Sequence, residues 1–189
     1  MNDPFVLLDL PRKLEFSSGE LDERVRLASQ QNHPDAGGDG ERFQEIRRAG
    51  DLLKSPASRI RTALDVEGIS FDERGAIPHE VMDYFSPVAG VLEKVSAFTN
   101  ERAKARSVLG KAVLDARVPA LKGDLEKLIA DLGELESSMV ARFPEFDERG
   151  WGECGEEMMG VARGLVFVGK WMAQLREANG KLFEALLGG

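Results

Sequence analysis

Three adjacent residues, His33, Pro34 and Asp35, place an imidazole and a carboxylate on either side of a proline. The imidazole offers one hydrogen-bond donor and one acceptor, and the carboxylate can form a charge-assisted pair with an arginine of another molecule. Proline restricts the backbone, so the segment would lose little conformational entropy on docking. The tripeptide therefore predicts a recognition site; the alternative is that it only makes a turn.

The other reactive residue types predict no catalytic or metal site. His33 and His79 are the only histidines, and neither has a second ligand at a suitable spacing. Cys154 is the only cysteine, so no disulfide can form within the chain. The sequence also lacks a nucleophile elbow, a phosphate-binding loop and a dinucleotide fingerprint. We therefore expect that the protein is not an enzyme and has no catalytic residue, cofactor or metal.

Composition and charge limit the classes of partner. The 189 residues are 42% hydrophobic and 31% charged with few aromatic residues, a balance that favours a helical globular protein. The net charge of -8 argues against nucleic acid or an anionic membrane as a partner. No apolar run is long enough to cross a bilayer, and residues 1–4 lack the features of a signal peptide. We expect a bacterial cytoplasmic protein that binds neither nucleic acid nor a membrane.

Capping residues predict four helices before residue 66. Asp3 can cap a short first helix, and Ser17 with Glu20 has the spacing of a capping box that opens a second. A third helix is expected at about 39–54 and a short fourth at about 57–64, after a Ser-Pro pair. The inner face of the third helix is expected to contain Phe43, Ile46, Ala49 and Leu53. This pattern predicts an antiparallel helical hairpin braced by two short helices.

Beyond a linker at 67–77, three apolar series with alternating steps of four and three predict a bundle of three helices. Pro119 is expected to begin the second helix, so that Leu114 closes the first, and residues 144–152 should separate the second from the third. The series are Val81, Phe85, Val88, Leu92 and Val95; Leu114, Val118, Leu121, Leu125, Leu128, Leu132, Leu135 and Met139; and Met158, Val161, Leu165, Val168, Met172, Leu175, Leu182 and Leu186. Alternatively, these series could pair two copies of the chain as a coiled coil.

The order of these features resembles a J domain. His33-Pro34-Asp35 lies at the end of one amphipathic helix and before another, and residues 43–49 are followed by Ser55-Pro56 at matching spacing. The following helical segment, especially Gly164 to Lys170 and Val81 to Phe85, is similar to the HscB family of co-chaperones, which serve iron–sulfur cluster assembly.

This resemblance implies an all-α fold with a J domain at 1–66 and a linker at 67–77. A C-terminal three-helix bundle at 78–189 would then bind the client or scaffold protein.

The resemblance also implies that the HPD tripeptide docks on the ATPase of a DnaK/HscA-type chaperone and stimulates it, while ATP is hydrolysed on that partner. The implied chaperone-binding residues are His33, Pro34, Asp35, Arg24, Arg26, Arg47 and Arg48. J domains usually carry a strongly basic second helix, whereas here Glu20, Asp22 and Glu23 oppose its arginines. We therefore expect a weaker and less salt-sensitive association than a basic J domain would show.

A second implied partner is the iron–sulfur cluster scaffold protein. The implied scaffold-binding residues are Val81, Met82, Phe85 and Phe167, although periodicity alone predicts Val81 and Phe85 as core. The glutamates of the family pattern are absent, because Ser86, Pro87, Ala89 and Gly90 occupy that stretch. An alternative function is therefore a J-domain co-chaperone of a general DnaK, with a different client or a structural C-terminal helical domain. A further alternative is a helical interaction protein without J-domain function.

Overall fold

The computed structural model describes residues 2–187, which form ten α-helices and one short 3-10 helix and contain no strand. The helices are α1 (Pro4–Leu7), α2 (Ser18–Gln31), α3 (Gly40–Lys54), α4 (Pro56–Val66), α5 (His79–Met82), α6 (Phe85–Lys104), α7 (Val108–Asp115), α8 (Val118–Val140), α9 (Phe143–Arg149) and α10 (Gly155–Leu187). The 3-10 helix covers Pro34–Ala36. The predicted all-α class, with an N-terminal J domain and a C-terminal three-helix bundle, is confirmed.

The four predicted helix starts of the J domain are confirmed by their capping hydrogen bonds. The Asp3 carboxylate accepts from the backbone N–H of Phe5, and the Ser17 hydroxyl accepts from that of Glu20 at 3.1 Å. Asp39 caps α3 and Ser55 caps α4 through equivalent bonds. These bonds satisfy N–H groups that the first turn of a helix leaves without a partner.

Helices α2 and α3 form the antiparallel hairpin. Val25 in the middle of α2 packs against Gly50 late in α3, and His33 after α2 lies against Phe43 early in α3. A Cβ at Gly50 would lie 2.8 Å from a methyl of Val25, so only glycine permits this close approach.

The chain groups into two compact units whose limits do not follow the sequence order. The first contains the described residues up to Ala76 together with Met139–Leu165, and the second contains Ile77–Ser138 and the residues from Val166 onward. The beginning of α10 therefore belongs to the first unit and its remainder to the second. The division of the chain into a J domain (1–66), a linker (67–77) and a client- or scaffold-binding domain (78–189) stays a prediction about function.

Asp147 of α9 fastens the segment between α1 and α2 inside the first unit. Its carboxylate accepts from the backbone N–H of Leu14 at 2.8 Å and of Glu15 at 3.1 Å, and from the indole N–H of Trp151 at 2.8 Å. The Trp151 ring packs on Phe5, with 5.3 Å between their centroids. Hydrogen bonds with a charged acceptor are strong, and two of these three are partly buried, so this contact stabilises the unit.

The segment predicted as a linker is held in place within the first unit. Arg163 of α10 donates to the backbone carbonyls of Asp72 at 2.7 Å and Ala76 at 2.8 Å. Between them, Gly75 lies so close to the Arg163 guanidinium that a Cβ would come within 2.7 Å of Nη2. Arg61 adds a 2.6 Å ion pair with Glu73. These residues therefore have a defined backbone path.

The second unit contains the three-helix bundle formed by α6 and by parts of α8 and α10. Most residues of the three apolar series that lie in this unit are buried, among them Val88, Val95, Leu121, Leu125, Leu132, Val168 and Leu175. These side chains form the core of one chain, so they are unavailable for a coiled coil between copies.

One sequence-based boundary in the C-terminal half was wrong. The first long helix ends at Lys104 rather than at Leu114, because Ser107 caps a separate helix by accepting from the N–H of Gly110. Residues 144–152 separate α8 from α10 as predicted, and they contain most of α9, in which Pro144 lies in the first turn, where proline is tolerated. Within the part of the chain described, no helix is long and apolar enough to cross a membrane.

Candidate functional site

The HPD turn (His33, Pro34 and Asp35) lies between α2 and α3. His33 has an extended backbone before proline, and its Nδ1 accepts a hydrogen bond from the backbone N–H of Asp35 at 3.2 Å. In the neutral imidazole the proton is therefore on Nε2, which can donate to a partner. The Asp35 side chain is 92% exposed and lies 3.7 Å from Nδ1 of His33. The turn thus presents one donor and one carboxylate to solvent.

Two glycines close the HPD turn. Gly37 adopts a φ of +83° and donates to the carbonyl of Pro34, while Gly38 donates to the carbonyl of His33 at 3.0 Å. A Cβ at Gly38 would lie 2.5 Å from the carbonyl oxygen of Asn32 and 2.7 Å from its Cα. The backbone after the turn therefore folds back onto the end of α2, and no other residue fits at position 38 without displacement.

A groove between α2 and α3 runs from the HPD turn along both helices. We call the turn and this groove together the HPD surface. The groove beside His33 has a volume of about 420 Å³. It is lined by Asp22, Val25, Arg26, Ser29, Gln30, His33, Phe43 and Arg47. The Phe43 ring meets the imidazole edge-on, with 5.3 Å between centroids and an interplanar angle of 77°. Phe43 thereby restricts the orientation of His33. The sequence predicted Phe43 only as a core residue and did not indicate this role.

Only two of the four predicted arginines lie in this groove. Arg26 and Arg47 line it, whereas Arg24 pairs with Asp9 at 2.7 Å and Arg48 lines a separate pocket beside α1. Adjacent residues of a helix point about 100° apart, so Arg47 and Arg48 could not both face α2.

The charge of Arg26 is largely offset within its own helix. Its guanidinium contacts the Glu23 carboxylate at 2.7 Å and donates to the side chain of Gln30 at 3.0 Å. The hydrogen bond from Arg26 lowers the pKa of Glu23 from its ordinary value, which keeps this carboxylate ionised at neutral pH. Among the described residues Arg47 has no ion-pair partner, so it is the free cation of the HPD surface.

Two of the residues predicted to bind the scaffold, Phe85 and Phe167, meet in an aromatic cluster in the second unit. The rings of Phe85, Phe167 and Trp171 contact one another, with centroid distances of 4.8 to 5.6 Å. Phe85 and Met82 are exposed, whereas the predicted scaffold-binding residue Val81 is fully buried in the core and cannot contact a partner directly. We call Met82, Phe85, Phe167 and Trp171 the aromatic surface. Trp171 was not among the predicted scaffold-binding residues.

Acidic groups lie near Tyr84, the residue before Phe85, although residues 86–90 of α6 contain none. Burial raises the pKa of the Tyr84 hydroxyl above its ordinary value, with further contributions from the negative charges of Asp131, Glu134 and Asp83. Two of these carboxylates come from α8, so inspection of the α5–α6 sequence alone would miss them.

The described residues contain no group of three or more histidine, cysteine, aspartate or glutamate side chains that could hold a metal ion. Cys154 is buried, and burial raises the pKa of its thiol, so it is present as the less reactive thiol form at neutral pH.

The exposed HPD turn, carried between two antiparallel helices that short helices brace, has the architecture of a J domain. No protein-family model matches the chain. The chain is 26% identical to the co-chaperone protein HscB of Proteus mirabilis (strain HI4320) over 196 residues, which covers 96% of this chain and 98% of the relative.

Two solved structures extend this comparison. Chaperone HscB from Vibrio cholerae matches with a TM-score of 0.65 and 17% identity, covering 95% of this chain and 99% of that one. Human co-chaperone protein HscB matches with a TM-score of 0.51 and 15% identity, covering 93% of this chain and 81% of that one. The predicted resemblance is thus confirmed: the chain is similar to HscB-type J-domain co-chaperones over nearly its whole length and shares their fold.

Proposed function

We propose that this chain is a bacterial cytoplasmic J-domain co-chaperone of iron–sulfur cluster assembly. It stimulates the ATPase of a DnaK/HscA-type chaperone and presents a cluster scaffold protein to it. The HPD turn is the observation that carries this proposal, because its carboxylate is exposed and its backbone is closed by hydrogen bonds. ATP is bound and hydrolysed on the partner, so the turn needs no reacting group of its own.

Each residue of the turn has a distinct part in docking. The Asp35 carboxylate can accept two parallel hydrogen bonds from an arginine of the chaperone, and Nε2–H of His33 can donate a third. Pro34 and the internal bonds of the turn restrict its motion before binding, which lowers the entropy lost in the complex. Arg47 adds one positive charge beside the turn, toward an acidic groove of the chaperone.

The salt dependence of this association should be shallow. Arg26 is paired with Glu23 and Arg24 with Asp9, so few free cations face the chaperone. Binding titrations at increasing ionic strength test this expectation, and a steep loss of affinity with salt would contradict the docking surface described.

The HPD assignment is tested by single-turnover ATP hydrolysis on a DnaK/HscA-type chaperone. We expect His33→Gln and Asp35→Asn to abolish stimulation while circular dichroism stays unchanged, because both side chains are exposed. Asp51→Asn is the matched control, because Asp51 is an exposed aspartate of α3 that lies outside the HPD groove and has no ion pair within the part of the chain described. Normal stimulation by the HPD variants, or equal loss in the control, would refute the assignment.

The aromatic surface is the proposed contact for the scaffold protein. Met82 and Phe85 supply exposed apolar area, while Trp171 holds both phenylalanine rings in place from beneath. Asp131 and Glu134 supply negative charge near Tyr84, the residue before Phe85, as partners for basic residues of the scaffold.

A pull-down of the iron–sulfur scaffold protein tests this surface. We expect Met82→Ser and Phe167→Ser to weaken capture at least tenfold, whereas Val166→Ser, an exposed neighbour on α10, should not. If the chain stimulates the chaperone but captures no scaffold, the alternative holds: a J-domain co-chaperone of a general DnaK with another client or a structural C-terminal helical domain.

A further inference from the structure

Helix α7 is apolar but contributes nothing to the core. Its sequence is VLGKAVLD, and none of its residues is buried. The exposed fractions of Val108, Leu109 and Val113 are 87%, 75% and 61%. Isolated exposed apolar residues are ordinary, but three on two turns of one short helix form a patch of the kind that marks an interaction site.

The position of α7 is fixed at both ends. The Ser107 hydroxyl caps its first turn, and Asp115 in its last turn pairs with Arg102 of α6 at 2.6 Å. The hydrogen bond from Arg102 lowers the pKa of Asp115 from its ordinary value, so the pair is ionised at neutral pH. Just beyond the helix, Arg117 pairs with Glu101 at 2.8 Å. The apolar side chains are therefore presented to solvent by an anchored element.

A second exposed apolar pair lies on the last turns of α10. Phe183 and Leu187 are four residues apart and share one helix face, with exposed fractions of 62% and 70%. The carboxylate of Glu184 lies beside them on the same turn. This pair belongs to the same compact unit as α7.

The charges beside the two patches are complementary. Lys104, Arg106 and Lys111 lie in or next to α7, and the described residues give them no ion-pair partner within 4.0 Å. The nearby carboxylates of Glu101 and Asp115 are already engaged by arginines. Although the whole chain has a net charge of -8, these three positive side chains lie beside the α7 patch, so they favour a partner surface that is apolar and acidic.

We propose that the occupant is a second copy of this chain. The α7 patch (Val108, Leu109 and Val113) of each copy covers the α10 patch (Phe183 and Leu187) of the other, in a two-fold arrangement with two identical contacts. At roughly 100 Å² of apolar area for each side chain, burying all five on both copies removes about 1,000 Å² from water, the lower end for a specific interface. The dimer is therefore weak and reversible, and both of its patches belong to the second unit.

Sedimentation velocity of the full chain from about 1 to 100 μM tests the proposal, a range that brackets the affinity of a small interface. We expect the weight-average mass to rise toward that of a dimer. Leu109→Glu and Phe183→Glu should each keep the chain monomeric. Val6→Glu, at a similarly exposed position in the other unit, should behave like the unchanged protein.

Mixing the two disrupted variants identifies the contact. A pair made of one Leu109→Glu chain and one Phe183→Glu chain retains one intact α7–α10 contact, so the mixture should associate more than either variant alone. A monomer at every concentration, dimers that survive Leu109→Glu, or a mixture no more associated than its components would each overturn the proposal. Binding of α7 to anionic vesicles without self-association would overturn it too, by assigning the patch to a membrane.

Discussion

Replacing Gly38 with alanine alters the backbone behind the HPD turn without touching its three side chains. The added Cβ would lie 2.7 Å from the Asn32 Cα, whereas ordinary contacts begin at 3.4 Å, so the two backbones must separate by most of an ångström. This displacement breaks or lengthens the bond from the Gly38 N–H to the His33 carbonyl, a loss of about 1 kcal/mol. The HPD turn is then no longer held in its docking conformation before the chaperone binds.

We expect Gly38→Ala to lower ATPase stimulation of the chaperone about tenfold at a fixed concentration, which corresponds to about 1.4 kcal/mol of docking free energy. The assay is single-turnover hydrolysis with the co-chaperone titrated, and thermal unfolding checks that the hairpin persists. Gly40→Ala is the control, because its Cβ would meet nothing closer than Pro34 at 3.8 Å and helix α3 begins there. Full stimulation by Gly38→Ala at every concentration would show that the backbone geometry of the turn is irrelevant, which would refute this reasoning.

Three further predictions concern the first unit. Asp147→Ala leaves three donors without an acceptor and should lower the free energy of unfolding by about 3 to 5 kcal/mol in urea titrations; a loss below about 1 kcal/mol would contradict the role given to this carboxylate. Gly75→Ala should lower the free energy of unfolding by about 1 to 3 kcal/mol, because its Cβ overlaps the guanidinium of Arg163. The double variant with Gly75→Ala and Arg163→Ala should lose less free energy of unfolding than the sum of the two single variants. The hydrogen bond from Arg149 lowers the pKa of Glu157 below its usual 4.5, so this pair stabilises the fold above about pH 4.5 and stops doing so as pH falls through the lowered pKa. Urea titrations at pH 7 and pH 3 should show a smaller difference for Glu157→Gln than for the unchanged chain.

Capping chemistry made the N-terminal hairpin predictable from the sequence. A side-chain oxygen that accepts from an N–H two or three residues ahead is a local interaction, so Asp3, Ser17, Asp39 and Ser55 marked their helices correctly without tertiary information. The position of the HPD tripeptide between two helices followed from the same signals.

Other features depend on contacts that sequence reading does not supply. The apolar series suggested that the first bundle helix continues to Leu114, but the cap at Ser107 overrides this periodicity and creates α7. The requirement for glycine at position 38 comes from the Asn32 backbone, six residues earlier, and nothing in the composition of the loop indicates it. The separation of Arg47 from Arg48 could have been predicted, because helix geometry alone directs them to different faces.

The most direct test of the central claim is a map of the backbone amide signals of the isotopically labelled chain as a DnaK/HscA-type chaperone with bound ATP is added. The account predicts that shifts and broadening concentrate at the HPD turn and along the groove that Arg26, Gln30 and Arg47 line, and that Asp35→Asn removes them. Signals that change only in the bundle, or a turn whose signals stay constant at saturating chaperone, would contradict it.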